Sequence, residues 1–137
     1  MKTIAINGAS GFLGGQICEY FKDKYSLLVI KRDDYLIEPN KLADKIKGVD
    51  IIINLAGVRI KPVMSKKYEK DVYESRINTT KNLRDAIDLL ITKSELFISF
   101  SAIGIYQYDV LCDETAPNFC CDFWLRFVKI GSHLLMA

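Results

Sequence analysis

Lys2-Thr3-Ile4-Ala5-Ile6-Asn7-Gly8-Ala9-Ser10-Gly11-Phe12-Leu13-Gly14 is the stretch whose reading decides the fold. Lys2–Ile6 reads as a buried strand, and Gly15–Lys24, which follows the quoted stretch, reads as a helix. Between them the glycines fall as G-x-x-G-x-x-G, at Gly8, Gly11 and Gly14. A residue without a Cβ takes positive φ and lets backbone and ligand approach closely. The free N–H groups and the positive end of the next helix then face a diphosphate. Glycines in such spacing are common by themselves. A strand before them and a helix after them form the context in which they predict a phosphate-cradling turn. The spacing differs from G-x-G-x-x-G and points to a particular branch of dinucleotide binders.

Outward from this turn, strands come as continuous apolar runs, as in a parallel sheet covered on both faces. They are Lys2–Ile6, Leu27–Lys31, Ile51–Leu55 and Leu96–Phe100, with Tyr35–Ile37 as a short fifth. Helical patterns lie between them. Gly15–Lys24 places Ile17, Tyr20 and Phe21 on one face, and Asn40–Lys47 offers Leu42 and Ile46 before stopping at Gly48. The longest helix runs from about Ser65 to Ile91, with Val72, Ile77, Leu83, Ile87 and Leu90 as core candidates. Strand alternating with helix predicts the α/β class: a Rossmann-like, doubly wound parallel sheet with helices on both faces. Right-handed crossovers leave little topological freedom.

The length of 137 residues fits one domain, residues 1–137, and half of them are hydrophobic, enough for a core. A net charge of +2 is too mild to argue for nucleic acid. Lys61, Lys66, Lys67 and Lys70 form the nearest thing to a basic cluster, and a solvated face explains them. No apolar run is long enough for a membrane helix, and Asn7 and the glycines interrupt any secretory segment. Cys18, Cys112, Cys120 and Cys121 lack zinc-ligand spacing, so no metal is expected. Together these features predict a reducing, cytoplasmic setting. His133 has no expected role.

Three further places carry chemistry. Lys31 and Arg32 follow the second strand, where this fold places the adenosine ribose. An acid there accepts from a 2′-hydroxyl, whereas an arginine accommodates a 2′-phosphate, so the basic pair favours NADP(H) over NAD(H). Asp33 and Asp34 follow at once, and a shift of one residue would reverse the preference. Asn54-Leu55-Ala56-Gly57 closes the third clear strand with small residues, leaving room for a flat ring or ribose at the sheet's carboxyl edge. Ser99 and Ser101 share one face at the end of the last clear strand, where a hydroxyl can reach a substrate oxygen. Ser101 sits nearer the edge. In the long helix Asn78 and Asn82 share a face, and polar groups there could hold a water or orient catalytic groups.

The glycine turn, Asn-Leu-Ala-Gly, the Arg76-Ile77-Asn78-Thr79-Thr80 helix and Ser101-Ala102-Ile103-Gly104-Ile105-Tyr106, in this order, resemble the extended short-chain dehydrogenase/reductases. The likeness is greatest to their NAD-dependent epimerase/dehydratase-like subgroup and covers roughly residues 1 to 119. It implies that Gly8, Gly11 and Gly14 form the dinucleotide turn, with Ser10, Phe12 and Leu13 giving backbone contacts. It places Arg32 at the 2′-phosphate and Leu55, Ala56 and Gly57 along adenine and ribose; from their own positions at strand ends, Lys31 and Ser99 are expected to bind the cofactor too. Ser101 corresponds to the active-site Ser/Thr, and Tyr106 falls near the substrate. The implied substrate is sugar-nucleotide-like or a small carbonyl or hydroxyl compound, with a homodimer through residues 65–91.

The chain departs from the family in two ways. Catalytic members carry a Tyr-x-x-x-Lys pair whose lysine lowers the tyrosine's pKa. After Tyr108 there is no tyrosine here, and Leu125 stands four residues before Lys129. The one Tyr-x-x-x-Lys is Tyr20 with Lys24, on the first helix and far from the reaction centre. The family pattern also continues beyond Ala137 with a carboxy-terminal substrate lobe. Residues 119–137 are dense in aromatics and cysteines where an amphipathic helix is expected, which suggests a truncation, a frameshift near 119, or a fragment. The alternative to an oxidoreductase or isomerase is therefore a non-catalytic dinucleotide-binding module or an inactive remnant.

Overall fold

Thr3–Asn7 forms β1 in the interior of a parallel sheet, buried at every position after Thr3. Its alternation divides the core in two. Ile4 and Ile6 join Ile53 on one face, against Ile17, Cys18 and Phe21. Ala5 turns to the other face, with Ile52, Leu42, Ile46, Leu83 and Ala86. Both faces are thus covered by helices, which is why the strands are apolar throughout. Each fully buried isoleucine or leucine among them contributes about 1.5–3 kcal/mol.

The computed structural model describes residues 1–35, 37–58, 65–100, 110–113 and 115. After β1 come α1 (Phe12–Phe21), β2 (Ser26–Ile30), a 3-10 turn (Arg32–Tyr35), α2 (Pro39–Ile46), β3 (Ile51–Asn54), α3 (Lys66–Asp88) and β4 (Leu96–Ser99). The sheet order is β2-β1-β3-β4, all neighbours parallel. The register aligns the strand ends: Asn7 pairs with Ile30 and with Asn54, and Asn54 pairs with Ser99. The chain separates into two units, Met1–Phe100 and Ser101–Ala137, and all these elements belong to the first. In the second, Thr115 donates through N–H and Oγ1 to Asp113 Oδ1 at 2.9 and 2.7 Å. Among the described residues no helix is long and apolar enough to cross a membrane.

Three expectations are corrected. Tyr35 lies in the 3-10 turn rather than in a strand, and Ile37 packs against the core beside α2. Asp34 is the cause: its carboxylate accepts the Lys31 N–H at 2.6 Å and winds the backbone. The first helix starts at Phe12, not Gly15, because Gly11 serves as its N-cap and the Gly15 N–H already bonds the Gly11 carbonyl at 2.9 Å. Tyr20 is 64% exposed and not core. Its ring meets Phe21 edge-on at 4.9 Å, and Lys24 Nζ lies 3.8 Å from its centroid. That cation–π contact occupies both members of the chain's Tyr-x-x-x-Lys pair.

Candidate functional site

The aligned strand ends make an edge, and the glycine turn stands on it. Gly8 follows Asn7 with φ +71°, a conformation L side chains rarely adopt. A Cβ there would lie 2.9 Å from the Leu55 carbonyl carbon, so the turn and the end of β3 are in close contact. The Gly11 N–H closes the turn on the Gly8 carbonyl at 3.0 Å. Gly14 is buried, and a Cβ there would fall 2.2 Å from Gly8 O and 2.7 Å from Ala9 Cα. Gly8 and Gly14 therefore bring helix tip and strand end nearer than any side chain would permit, and Gly11 is tight, its added Cβ falling 3.2 Å from the Gly8 carbonyl oxygen. No side chain caps α1, and its first turn holds no acidic residue. Phe12 and Leu13 are 89% and 43% exposed, so at this tip they add little to the core. An uncapped tip of positive dipole beside a glycine turn is suited to an anion.

Beneath the edge lies a buried amide network. Asn7 Nδ2 donates to Asn54 Oδ1, and Asn7 Oδ1 accepts the N–H groups of Leu55 and Ala56 at 2.6 and 2.9 Å. Asn54 Nδ2 in turn donates to Thr80 Oγ1 and Ser99 Oγ, both at 3.2 Å. One network thus ties β1, β3, β4 and α3 and fixes the course of the chain through Leu55 and Ala56. Among the described residues no buried side-chain polar atom lacks a partner. Sequence reasoning missed Asn7, Thr80 and the Asn54 side chain. The available signal was an asparagine ending each of two neighbouring strands, and reading it required the register.

At the end of β2, Lys31 and Arg32 are exposed. Asp34 accepts from the Lys31 N–H and pairs with Lys45. Burial pushes the Asp34 pKa up, but the bonds from Lys45 and Lys31 outweigh it, and the carboxyl is held below its ordinary value. Of the two acids that could reverse the cofactor preference, Asp34 is engaged by Lys45 and Asp33 is exposed.

Beyond β3, Leu55 and Ala56 are half-buried and Gly57 is exposed. Val58 is held twice by α3: its N–H donates to Ser75 Oγ and its carbonyl accepts from Arg76 Nη2, each at 3.1 Å. The structure thus brings together Gly8, Gly14, Leu55, Ala56 and, through the amides, Ser99. Ser10 and Gly11 are exposed at the turn, and Asn78 is exposed on α3. Ser101 and Tyr106 lie outside the described residues.

The chain is 26% identical to an epimerase family protein of Staphylococcus haemolyticus, the match covering 94% of this chain and 50% of that protein. An epimerase family protein of Staphylococcus saprophyticus is also 26% identical, over 80% of this chain and 41% of its own length. The chain thus spans about half the length of the curated relatives it matches. Among solved structures, a human epimerase family protein crystallised with NADPH superimposes with a TM-score of 0.82. It is 20% identical, over 96% of this chain and 48% of that one. The UDP-glucuronic acid 4-epimerase of Bacillus cereus, in complex with UDP-glucuronic acid and NAD, gives 0.80 at 18% identity, over 98% and 51%. These likenesses support the fold. The family model for NAD dependent epimerases and dehydratases matches residues 4–115, from inside β1 past the end of β4, and the chain belongs to that family.

Proposed function

We propose that the chain binds a nicotinamide dinucleotide across the carboxyl edge of its sheet, NADP(H) in preference to NAD(H). It serves an epimerase- or dehydratase-type reaction on a sugar-nucleotide-like or small carbonyl or hydroxyl substrate. The observation that carries this reading is the glycine turn, where a Cβ at Gly8 or Gly14 would collide with the backbone of Leu55 or of Gly8 and one at Gly11 would crowd the Gly8 carbonyl at 3.2 Å. Ser10, Phe12 and Leu13 would offer N–H groups to the diphosphate, and Leu55, Ala56 and Gly57 would line the ribose side, with Ser99 near by. The nucleotides in the human and Bacillus structures support the ligand class. Exposed Arg32 beside Lys31, with Asp34 engaged by Lys45, supports a 2′-phosphate.

The nicotinamide would supply hydride transfer, and the protein orientation and electrostatics. Ser101 would polarise the substrate oxygen; no Tyr–Lys pair follows it to move the proton. That departure favours a second reading, a dinucleotide-binding module without turnover.

Titration of the purified chain with NADPH and NADH, followed by nicotinamide fluorescence, tests the proposal. Arg32→Ala is expected to weaken NADPH binding about tenfold or more and leave NADH nearly unchanged. Binding without turnover selects the module. No binding of either nucleotide overturns both readings.

A further inference from the structure

Arg76 is a half-buried cation whose hydrogen-bond partners among the described residues are neutral. Nη1 donates to the Val72 carbonyl and Nη2 to the Val58 carbonyl, both at 3.1 Å. None of the ion pairs formed among the described residues includes it. Burying a charge without an opposite one is costly, and two carbonyls use only part of a guanidinium's five donors. The guanidinium also sits against Gly57: a Cβ there would lie 3.1 Å from Cζ and 3.2 Å from Nη2. Gly57 has no positive φ, so its missing side chain makes room for the guanidinium rather than for a turn. Ser75, one residue earlier, holds the Val58 N–H and itself donates to the Val72 carbonyl at 2.9 Å. Two consecutive residues of α3 thus grip both backbone groups of Val58.

We propose that Arg76 is a positioning residue for the cofactor: with Ser75 it latches Gly57–Val58 onto α3 and fixes the rim that the nucleotide's ribose side contacts. The inference rests on the dinucleotide reading above. It depends on the planar fork, which spans two carbonyls, and not on charge alone. Lysine keeps the charge but is a single point donor.

The test uses the whole chain as wild type, Arg76→Lys and Arg76→Ala, titrated with NADPH. Both variants are expected to bind about tenfold or more weakly, with far-ultraviolet circular dichroism unchanged. Methylguanidinium at a non-denaturing concentration should restore part of the affinity of Arg76→Ala. Methylammonium at the same concentration should not. A side chain that merely stabilises the fold would lower the urea midpoint of both variants and leave the affinity of the folded protein for NADPH unchanged. Affinity of Arg76→Lys within about twofold of wild type overturns the proposal, as does failure of methylguanidinium to restore binding. If Arg76→Ala does not fold, the lysine variant decides. If wild type itself binds neither nucleotide, the dinucleotide reading falls and takes this inference with it; if wild type and variants bind alike, only the latch falls.

Discussion

Gly14 and Gly48 lack a side chain for different reasons, and alanine separates them. At Gly14 the space is taken: a Cβ would lie 2.2 Å from the Gly8 carbonyl oxygen, backbone that cannot swing aside. Gly14→Ala is expected to force the turn open, cost roughly 3 kcal/mol and abolish nucleotide binding. At Gly48 φ is +75° but nothing lies within 4 Å of the added carbon. Gly48→Ala should cost only about 1 kcal/mol of backbone strain and leave affinity intact. Urea unfolding and NADPH titration of the pair check this, and equal behaviour would refute it. Asn7 is the second decisive residue. Its side chain is fully buried and serves three partners on β3 and the segment after it. Asn7→Leu strands the N–H groups of Leu55 and Ala56 and the Asn54 oxygen, for an expected loss of about 2–4 kcal/mol. A urea-derived loss below about 1 kcal/mol would show that the amide network does not hold the edge.

Between elements, the 3-10 turn is fastened to α2 by Asp34, whose carboxylate pairs with Lys45. The two side chains are 18% and 30% exposed, so the pair is worth about 1 kcal/mol rather than several. The sign of its pH dependence follows from the depressed carboxyl. The stability it adds is present above the ordinary value of 3.8 and is lost as pH falls through the lower folded value. Wild type should therefore exceed Asp34→Asn at neutral pH, and the gap should close below pH 3.8. Urea midpoints measured across that range check it; a gap that widens in acid would reverse the assignment. This turn also shows where local reading stops. The strands β1, β2, β3 and β4 and the three helices were legible because apolar runs and glycine or proline punctuation act within a few residues. Tyr35–Ile37 looked like a strand because those residues are bulky and apolar, yet one aspartate before them bends the chain. The amide network was not legible, since Asn7 and Asn54 lie 47 residues apart and meet only through strand register. Arg76 was hidden for a related reason: a polar run on a helix looks like a solvated face until Gly57 is placed against it.

For the whole molecule, one ligand would reach the carboxyl ends of β1 and β3, the tip of α1 and the turn after β2. These parts belong to a single unit, Met1–Phe100, and the sheet and its two core layers connect them. Opening any of them exposes core that the others share, so a nucleotide held across the edge opposes unfolding of the unit and not merely of the turn. The expected size is set by mass action. A ligand bound only to the folded state adds about 2.7 kcal/mol at a free concentration a hundred times its dissociation constant. For a unit of this length that corresponds to a rise in Tm on the order of 10 °C. NADPH should produce it, and Gly14→Ala should not respond even where it folds at the starting temperature. Thermal unfolding followed by circular dichroism, with and without NADPH, provides the measurement. The amide network makes the outcome decisive, because it couples Leu55 and Ala56 to the centre of the sheet. Tight binding by fluorescence with no change in Tm would mean the nucleotide sits on a segment that opens independently of the core, and the coupling argued from Asn7 and Asn54 would be wrong.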